Sequence, residues 1–341
     1  MIRSPAPSGG PWLEAALERV RGELAHRLTG LASLNLMVSD EAAVQGKLLR
    51  PRLLLTLAAA PGERAPPPDR AAALAAAVEL IHLASLHHDD VIDNSPHRRQ
   101  ADSVRQRLGN KVSILFGDAL LAAALEVLLR CSNRRMQAAL ARAMTATLRG
   151  EISQHTGHRR LDLEDTECVR VASLKTGSLF GLAAKLGAMV AAEGRETAAV
   201  AYRLGRRLGT AFQLIDDALD YAAGVERLGK EPGSDYQQGI ATLPLVCAWR
   251  EAAPGERDIL EAGFGVGGAT ADFAAVRRIV VGSSSFERAL VAAERQLHLA
   301  RGLVPSLGMP ERERLIADYF QEIEARIPRP VDVLPVSARR G

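Results

Sequence analysis

Residues 79–96 read Glu79-Leu80-Ile81-His82-Leu83-Ala84-Ser85-Leu86-His87-His88-Asp89-Asp90-Val91-Ile92-Asp93-Asn94-Ser95-Pro96. An alanine- and leucine-rich run leads into this stretch, and its spacing predicts a helix. On that helix Asp89 and Asp93 share a face, while Asp90 is rotated by about 100°. Asn94 and Pro96 stop the helix, so the carboxylates sit in its last turns. There the partial negative charge of the terminal carbonyls adds to the attraction for a cation. His82 lies two turns back on the Asp89 face. Arg98 and Arg99 follow the stop and are suited to grip phosphate oxygens.

The same pattern returns 127 residues later as Phe212-Gln213-Leu214-Ile215-Asp216-Asp217-Ala218-Leu219-Asp220. Gln213, Asp216 and Asp220 share one helical face. Carboxylates this crowded repel one another and are costly to hold between hydrophobic flanks. A hard divalent cation neutralises them, and Mg²⁺ takes carboxylate oxygens while keeping positions open for phosphate. Two such clusters predict a pair of jaws closing on one pyrophosphate. Downstream, Leu228-Gly229-Lys230 and Gly233-Ser234-Asp235 form a glycine-punctuated loop that can return an ammonium over the metals.

The rest of the chain narrows the class. The 341 residues suffice for a large core, and 47% of them are hydrophobic. A net charge of +3 and 4% aromatics argue against a nucleic-acid binder. Cys131, Cys168 and Cys247 are too few and too scattered for a disulfide framework or a zinc site, which points to a reducing compartment. No basic segment followed by an apolar core opens the chain, so no signal peptide is expected. The apolar runs Ala71–Leu86 and Phe116–Leu129 are broken by Glu79, His82, Asp118 and Glu126. They read as too short and too interrupted to span a bilayer. The expectation is a soluble, cytoplasmic protein.

From Trp12 onward amphipathic helix follows amphipathic helix, and period-two runs of Val, Ile and Thr are nearly absent, so no sheet is predicted. Residues 1–11 read as a flexible leader, 12–327 as one all-α domain, and 328–341 as a disordered tail. Breaks are expected at Pro61–Pro68, Asn94–Pro96, Gly157–Arg160, Gly229–Gly239 and Gly263–Gly268. The last of these formally fits a dinucleotide-binding glycine pattern. No strand precedes it, so it reads as a flexible loop between helices.

Lysine usage is informative. The chain has 38 arginines but only five lysines, at 47, 111, 175, 185 and 230. Positions that stayed lysine in so arginine-rich a chain point to a need for a compact ammonium. Gly46-Lys47-Leu48-Leu49-Arg50-Pro51 places two cations three apart at a helix start. Leu174-Lys175-Thr176-Gly177 places a lysine and a hydroxyl inside an apolar helix. An ammonium there needs an anionic partner, and a ligand is the reading adopted.

Together these motifs resemble the trans-polyprenyl diphosphate synthase family from about Leu13 to Arg326. The matching elements, in family order, begin with Gly46-Lys47-x-x-Arg50-Pro51, the Ile81–Asp93 segment with its paired arginines, and Gly109-Asn110-Lys111 before Gly117-Asp118. Leu174-Lys175-Thr176, Phe212–Asp220 and Leu228-Gly229-Lys230 with Gly233-Ser234-Asp235 complete them. The resemblance implies an all-α, single-domain bundle of roughly ten or more helices around a deep central cavity, the isoprenoid synthase fold. It implies that Lys47, Arg50, His82 and Arg99 bind the diphosphate of isopentenyl diphosphate. Arg98, Lys175, Thr176, Gln213 and Lys230 would hold the allylic diphosphate and assist its departure. Asp89, Asp93 and Asp216 would coordinate three Mg²⁺ ions, supported by Asp90, Asp217 and Asp220. The implied reaction is ionisation of the allylic C–O bond, attack by the isopentenyl double bond, and proton loss to the departing pyrophosphate. A homodimer is the expected assembly, a heteromer stays open, and no nucleic acid or transmembrane segment is implied. Transient membrane contact for product release is compatible with it.

Two departures stand out. Ile240 replaces a lysine common in the family, and Leu48 replaces a common arginine. Ala84 and Ser85, just before Asp89, are small where short-chain relatives carry an aromatic floor. They predict a product longer than geranylgeranyl, with the floor further down that helix and on a neighbour ending at Gly150-Glu151. A short-chain synthase and a non-catalytic partner subunit are the alternatives. A His-Asp phosphohydrolase built on His87-His88-Asp89-Asp90 would leave the second aspartate cluster unexplained, and a terpene cyclase would lack it.

Overall fold

The computed structural model describes residues 10–32, 46–59, 69–95, 97–98, 101–222, 232–266, 272–308 and 310–328. Helices dominate them. In order they are α1 (Gly10–Ala32), α2 (Leu49–Ala58), α3 (Asp69–Ile92), α4 (Val104–Leu108), α5 (Asn110–Cys131), α6 (Arg134–Thr156) and α7 (Asp165–Ala172). A π-helical turn, Ser173–Gly177, leads into α8 (Ser178–Val190) and α9 (Arg195–Ala222). There follow α10 (Ser234–Gln237), α11 (Leu243–Glu251), α12 (Pro254–Ala262), α13 (Phe273–Gly282), α14 (Ser284–Arg301), a 3₁₀ turn at Val304–Leu307, and α15 (Pro310–Glu324).

The all-α expectation holds with one small exception. Strands β1 (His97–Arg98) and β2 (Ala101–Asp102) pair antiparallel, with His97 opposite Asp102 and Arg98 opposite Ala101. A ladder two residues long carries no detectable alternation, which is why the pattern missed it.

The chain packs as two compact units. The first comprises Met1–Met144, Leu179–Arg206 and Ala300–Gln321. Its core runs along α3, where Leu74, Val78, Leu80 and Leu83 meet Leu17, Val20 and Leu24 of α1, Leu54 of α2, and Phe116, Leu120 and Ala124 of α5. The second comprises Thr145–Ser178, Arg207–Leu299 and Glu322–Gly341. Tyr221, Tyr236, Leu245, Leu260, Phe264 and Val276 centre it.

Two expectations need correction. Helices α3 and α5 extend to 24 and 22 residues, long and apolar enough to cross a bilayer by length and composition. Isolated charges did not break them: Glu79 is buried within α3. The most apolar window of α3 is 72% buried, as suits a core helix, against 39% for α5. Second, α6 does not end at Gly150-Glu151 but continues to Thr156. The 263–266 part of the glycine loop is also pinned: Gly265 donates its N–H to Tyr236 O at 3.0 Å, and Arg159 bonds Gly265 O. The leader residues 1–9, the break at 60–68 and the tail beyond 328 lie outside the described residues.

Candidate active site

In the first unit α3 ends as its sequence predicts, and the cap geometry shows why. Asn94 adopts a left-handed conformation with φ of 52°. The N–H of Ser95 reaches back to Asp90 O at 3.0 Å, and that of Asp93 to Asp89 O at 2.8 Å. This six-to-one closure satisfies terminal carbonyls and fixes the last turn that carries the carboxylates. Arg105 then holds Asn94 through its side-chain oxygen (2.8 Å) and its carbonyl (3.2 Å). Ser103 caps α4 and donates to Ser95 O at 2.9 Å. Asp89 and Asp93 are half-buried on one face, whereas Asp90 is turned into the protein at 2% exposure. Arg98 lies in β1; its side chain, like all of Arg99, lies outside the described residues.

The two histidines before the cluster serve packing. His87 is buried edge-on against Phe116, with ring centroids 4.8 Å apart. His88 Nε2 lies 3.2 Å from Asp118 and is accommodated by Gly117, where a Cβ would come within 2.5 Å of it. Both rings face α5, which removes the ligand set a His-Asp phosphohydrolase would need. His82 is half-buried on α3, and its carbonyl accepts from Ser85 Oγ at 2.8 Å. Ala84 is buried and Ser85 half-buried.

The Gly-Lys-x-x-Arg segment enters α2 through Leu48, which is buried and left-handed (φ 49°, ψ 41°) without a side-chain cap. Lys47 is exposed just before it. Arg50 lies over the ring of Phe180 at 4.7 Å, and its buried Nε has no hydrogen-bond partner. Burial holds its guanidinium below the usual arginine range, opposed by the nearby Glu79 and Tyr319. A buried N–H without a protein acceptor is a donor that the protein itself leaves unsatisfied.

The second unit gathers another part of the predicted set. In the π-helical turn Thr176 donates its hydroxyl to Gln213 Oε1 at 2.5 Å, and Gln213 Nε2 donates to Asp217 Oδ1 at 2.8 Å. Lys175 pairs with Glu151 at 2.9 Å, both partly buried. The partly buried ammonium therefore has a protein carboxylate as an anionic partner. Gly150 makes this pairing feasible, since a Cβ there would lie 2.6 Å from the backbone nitrogen of Lys175. π-Turns inside helices recur at functional sites.

The three later aspartates take different positions. Asp216 accepts from Arg326 at 3.2 Å. Asp217 belongs to the Thr176–Gln213 relay. Asp220 is fully buried, accepting from Ser234 Oγ at 3.2 Å and the Asp235 N–H at 3.1 Å. The segment from Gly233 packs back on this cluster: the Gly233 N–H meets Asp220 O at 3.1 Å, with Gly233 at φ of 83° against Phe273. Lys230 lies outside the described residues. Ile240 is half-buried, its N–H held by Asp235 O at 2.8 Å.

The sequence pattern assigned no partner to Glu151, Glu79, Arg326 or Tyr319. Each acts through a partner distant along the chain, and only the buried Glu79 carried a local signal, an acid in an apolar run.

These donors suit Mg²⁺. Among the described residues no group of three or more His, Cys, Asp or Glu side chains forms a closed metal cage. Magnesium is commonly held by one or two carboxylates with water and substrate phosphate completing the shell. Half-buried Asp89 and Asp93 at a helix C-terminus provide such oxygens.

The chain matches the polyprenyl synthetase family model over residues 32–280. It is 34% identical over 316 residues to heptaprenyl diphosphate synthase component 2 of Geobacillus stearothermophilus, covering 92% of this chain and 93% of that one. It is also 34% identical over 278 residues to a (2E,6E)-farnesyl diphosphate synthase of Mycobacterium bovis, covering 78% and 76%. Its fold superposes on a polyprenyl synthase from Caulobacter crescentus, solved with calcium and isoprenyl diphosphate, with a TM-score of 0.77. That pair shares 30% identity over 92% of this chain and 98% of the other. With the likeness carried along nearly its whole length, the chain belongs to the polyprenyl synthetase family and is a polyprenyl diphosphate synthase, a prenyltransferase.

Proposed function

We propose that this prenyltransferase adds isopentenyl diphosphate units to an allylic diphosphate and releases a product longer than geranylgeranyl diphosphate. The observation that carries the chain-length reading is the pair Ala84 and Ser85, one turn before Asp89 on α3. Neither presents bulk, and the Ser85 hydroxyl is tied back to His82 O at 2.8 Å. A growing chain passing them gains about one isoprene unit per helical turn of ~5.4 Å.

Lys47, Arg50, His82 and Arg99 are assigned to the diphosphate of isopentenyl diphosphate. The free Nε of Arg50 supports that assignment. Lys175, Thr176, Gln213, Arg98 and Lys230 are assigned to the allylic diphosphate. The Thr176–Gln213–Asp217 relay orients the hydroxyl and the amide, and Glu151 aims the Lys175 ammonium. Asp89, Asp93 and Asp216 are assigned to Mg²⁺, with Asp90, Asp217 and Asp220 in support. When bound, the metal would spread the negative charge of the leaving diphosphate. The cationic side chains stabilise that charge as the allylic C–O bond breaks. The isopentenyl double bond then attacks the allylic carbon, and its proton passes to the departed pyrophosphate. The reaction requires that water be kept from the cation, which it would quench.

Residues 12–327 are read as one catalytic domain, supported by the family match, and the protein as cytoplasmic, which suits its three free cysteines. The assembly is read as a homodimer. On α5 Ile114, Leu115, Leu125 and Leu129 recur at helical spacing and stay exposed, Leu115 and Leu129 by 66% and 69%. A two-fold partner would cover this stripe with its own copy. A heteromer is the second reading, favoured by the relative named as one component of a synthase.

The test is to incubate the purified protein with isopentenyl diphosphate, Mg²⁺ and dimethylallyl, geranyl, farnesyl or geranylgeranyl diphosphate in turn. Products are sized by chromatography, and mass in solution by light scattering. Chains beyond twenty carbons from a dimer support the reading. Products stopping at fifteen or twenty carbons reject the chain-length proposal. No elongation by the isolated chain favours the heteromer.

A further inference from the structure

We infer that Tyr319, near the C-terminal end of α15, is a positioning residue for Arg50 at the start of α2. The inference rests on the assignment of Arg50 to the diphosphate of isopentenyl diphosphate.

The entry to α2 is conformationally costly. Leu48 is left-handed with no side-chain cap, a state that costs a γ-branched residue about 1–2 kcal/mol. Such residues persist where their surroundings over-determine them. Helix α15 supplies that constraint at both ends of α2. The buried Tyr319 hydroxyl donates to Leu49 O at 3.0 Å, immediately after the left-handed residue. At the far end buried Arg312 donates to Ala59 O through Nε (3.3 Å) and a terminal nitrogen (3.0 Å). A second terminal nitrogen of Arg312 meets Glu193 at 2.7 Å. Two residues of α15, seven positions apart, thus bracket the ten-residue α2, fixing its axial position and rotation.

Arg50 depends on that rotation. It is the second residue of α2, one after the carbonyl that Tyr319 holds, and its guanidinium lies over Phe180 at 4.7 Å. Tyr319 and Glu79 are also the charged or titratable groups that bear on the guanidinium electrostatically. A rolled first turn would carry Arg50 off Phe180 and misalign its free Nε. Misplacement by about 1 Å at a binding group can cost as much as 10²-fold in rate.

The experiment compares wild type, Tyr319→Phe, Arg50→Gln and the double variant. KM for each substrate, kcat and the thermal midpoint are measured with the full chain and Mg²⁺. Tyr319→Phe removes one hydrogen bond and keeps the ring. It should raise KM for isopentenyl diphosphate about three- to tenfold, with KM for the allylic substrate and kcat within about twofold. The double variant should be no worse than Arg50→Gln, because Tyr319 would act through the residue already removed. Independent, additive effects, or a uniform decline of all constants with the thermal midpoint, would reduce Tyr319 to a structural role and overturn the inference. An unchanged KM for isopentenyl diphosphate in Arg50→Gln would reject the assignment of Arg50 itself, and this inference with it. A raised KM in Arg50→Gln with none in Tyr319→Phe rejects the positioning role alone.

Discussion

Arg326 places a guanidinium nitrogen 3.2 Å from Asp216 Oδ1 while its plane lies over the ring of Phe212 at 4.3 Å. The carboxylate assigned to metal thus carries a protein cation. The pair is partly exposed, so its contribution is that of a screened ion pair, about 1 kcal/mol or less. Arg326→Gln should therefore tighten Mg²⁺ binding in the absence of diphosphate by up to about fivefold. Calorimetric titration of Mg²⁺ alone reads this directly. Unchanged or weaker binding would show that Arg326 does not compete for Asp216.

Gly150→Ala tests the π-helical turn. A Cβ at 150 would sit 2.6 Å from the Lys175 backbone nitrogen and 3.0 Å from the Leu174 side chain. Backbone cannot yield as a flexible side chain would, so α6 and the turn must separate. The Glu151–Lys175 pair and the Thr176–Gln213 bond would lengthen together. The expected outcome is a loss of about 1–3 kcal/mol in stability. KM for the allylic substrate should rise more than KM for isopentenyl diphosphate. Urea unfolding and steady-state kinetics check both, and equal changes in the two constants would count against Lys175 and Thr176 as allylic ligands.

Ser85→Phe is the cleaner probe of product length. Ala84 is buried, so a phenylalanine there would strain the α3 packing by about 1–3 kcal/mol regardless of any tunnel. Ser85 is half-buried and its hydroxyl bonds only a carbonyl of its own helix. An aromatic ring at 85 should shift products to fifteen or twenty carbons while leaving the rate of the first addition within about threefold. A product distribution like wild type would remove Ser85 from the chain's path.

What could be read in advance was local. The helix stop after Asp93 follows from Asn94, whose tolerance of a left-handed turn closes the cap. The aspartate faces follow from spacing alone. The lysine at 175 was also legible as a residue in need of a partner, but not the identity of that partner, since Glu151 lies 24 residues upstream on another helix. Arg326 on Asp216 and Tyr319 on Leu49 are invisible for the same reason: their ordinary spacing says nothing of a contact 110 or 270 residues away. The length of α3 was underread because Glu79 counted as an interruption, whereas Arg50 nearby offsets its charge inside the core.

The buried thiols set an alkaline limit on stability. Desolvation pushes Cys168 and Cys247 each up to about 12 from an ordinary value of 9.0. Asp217 reinforces this for Cys168, and Asp165, which accepts from the Cys247 thiol at 3.5 Å, does so for Cys247. The folded protein holds these protons more tightly than the unfolded chain. Below pH 9 both states are protonated and the thiols add no pH dependence. Between pH 9 and about 12 the unfolded chain sheds protons that the fold retains, so stability falls as pH rises. The slope approaches about 1.4 kcal/mol per pH unit for each thiol. Urea midpoints measured from pH 8 to 10.5 should fall over the upper part of that range, and Cys168→Ala should lessen the fall. Equal slopes for the variant and wild type would mean that the Cys168 thiol ionises as readily in the fold as in the unfolded chain.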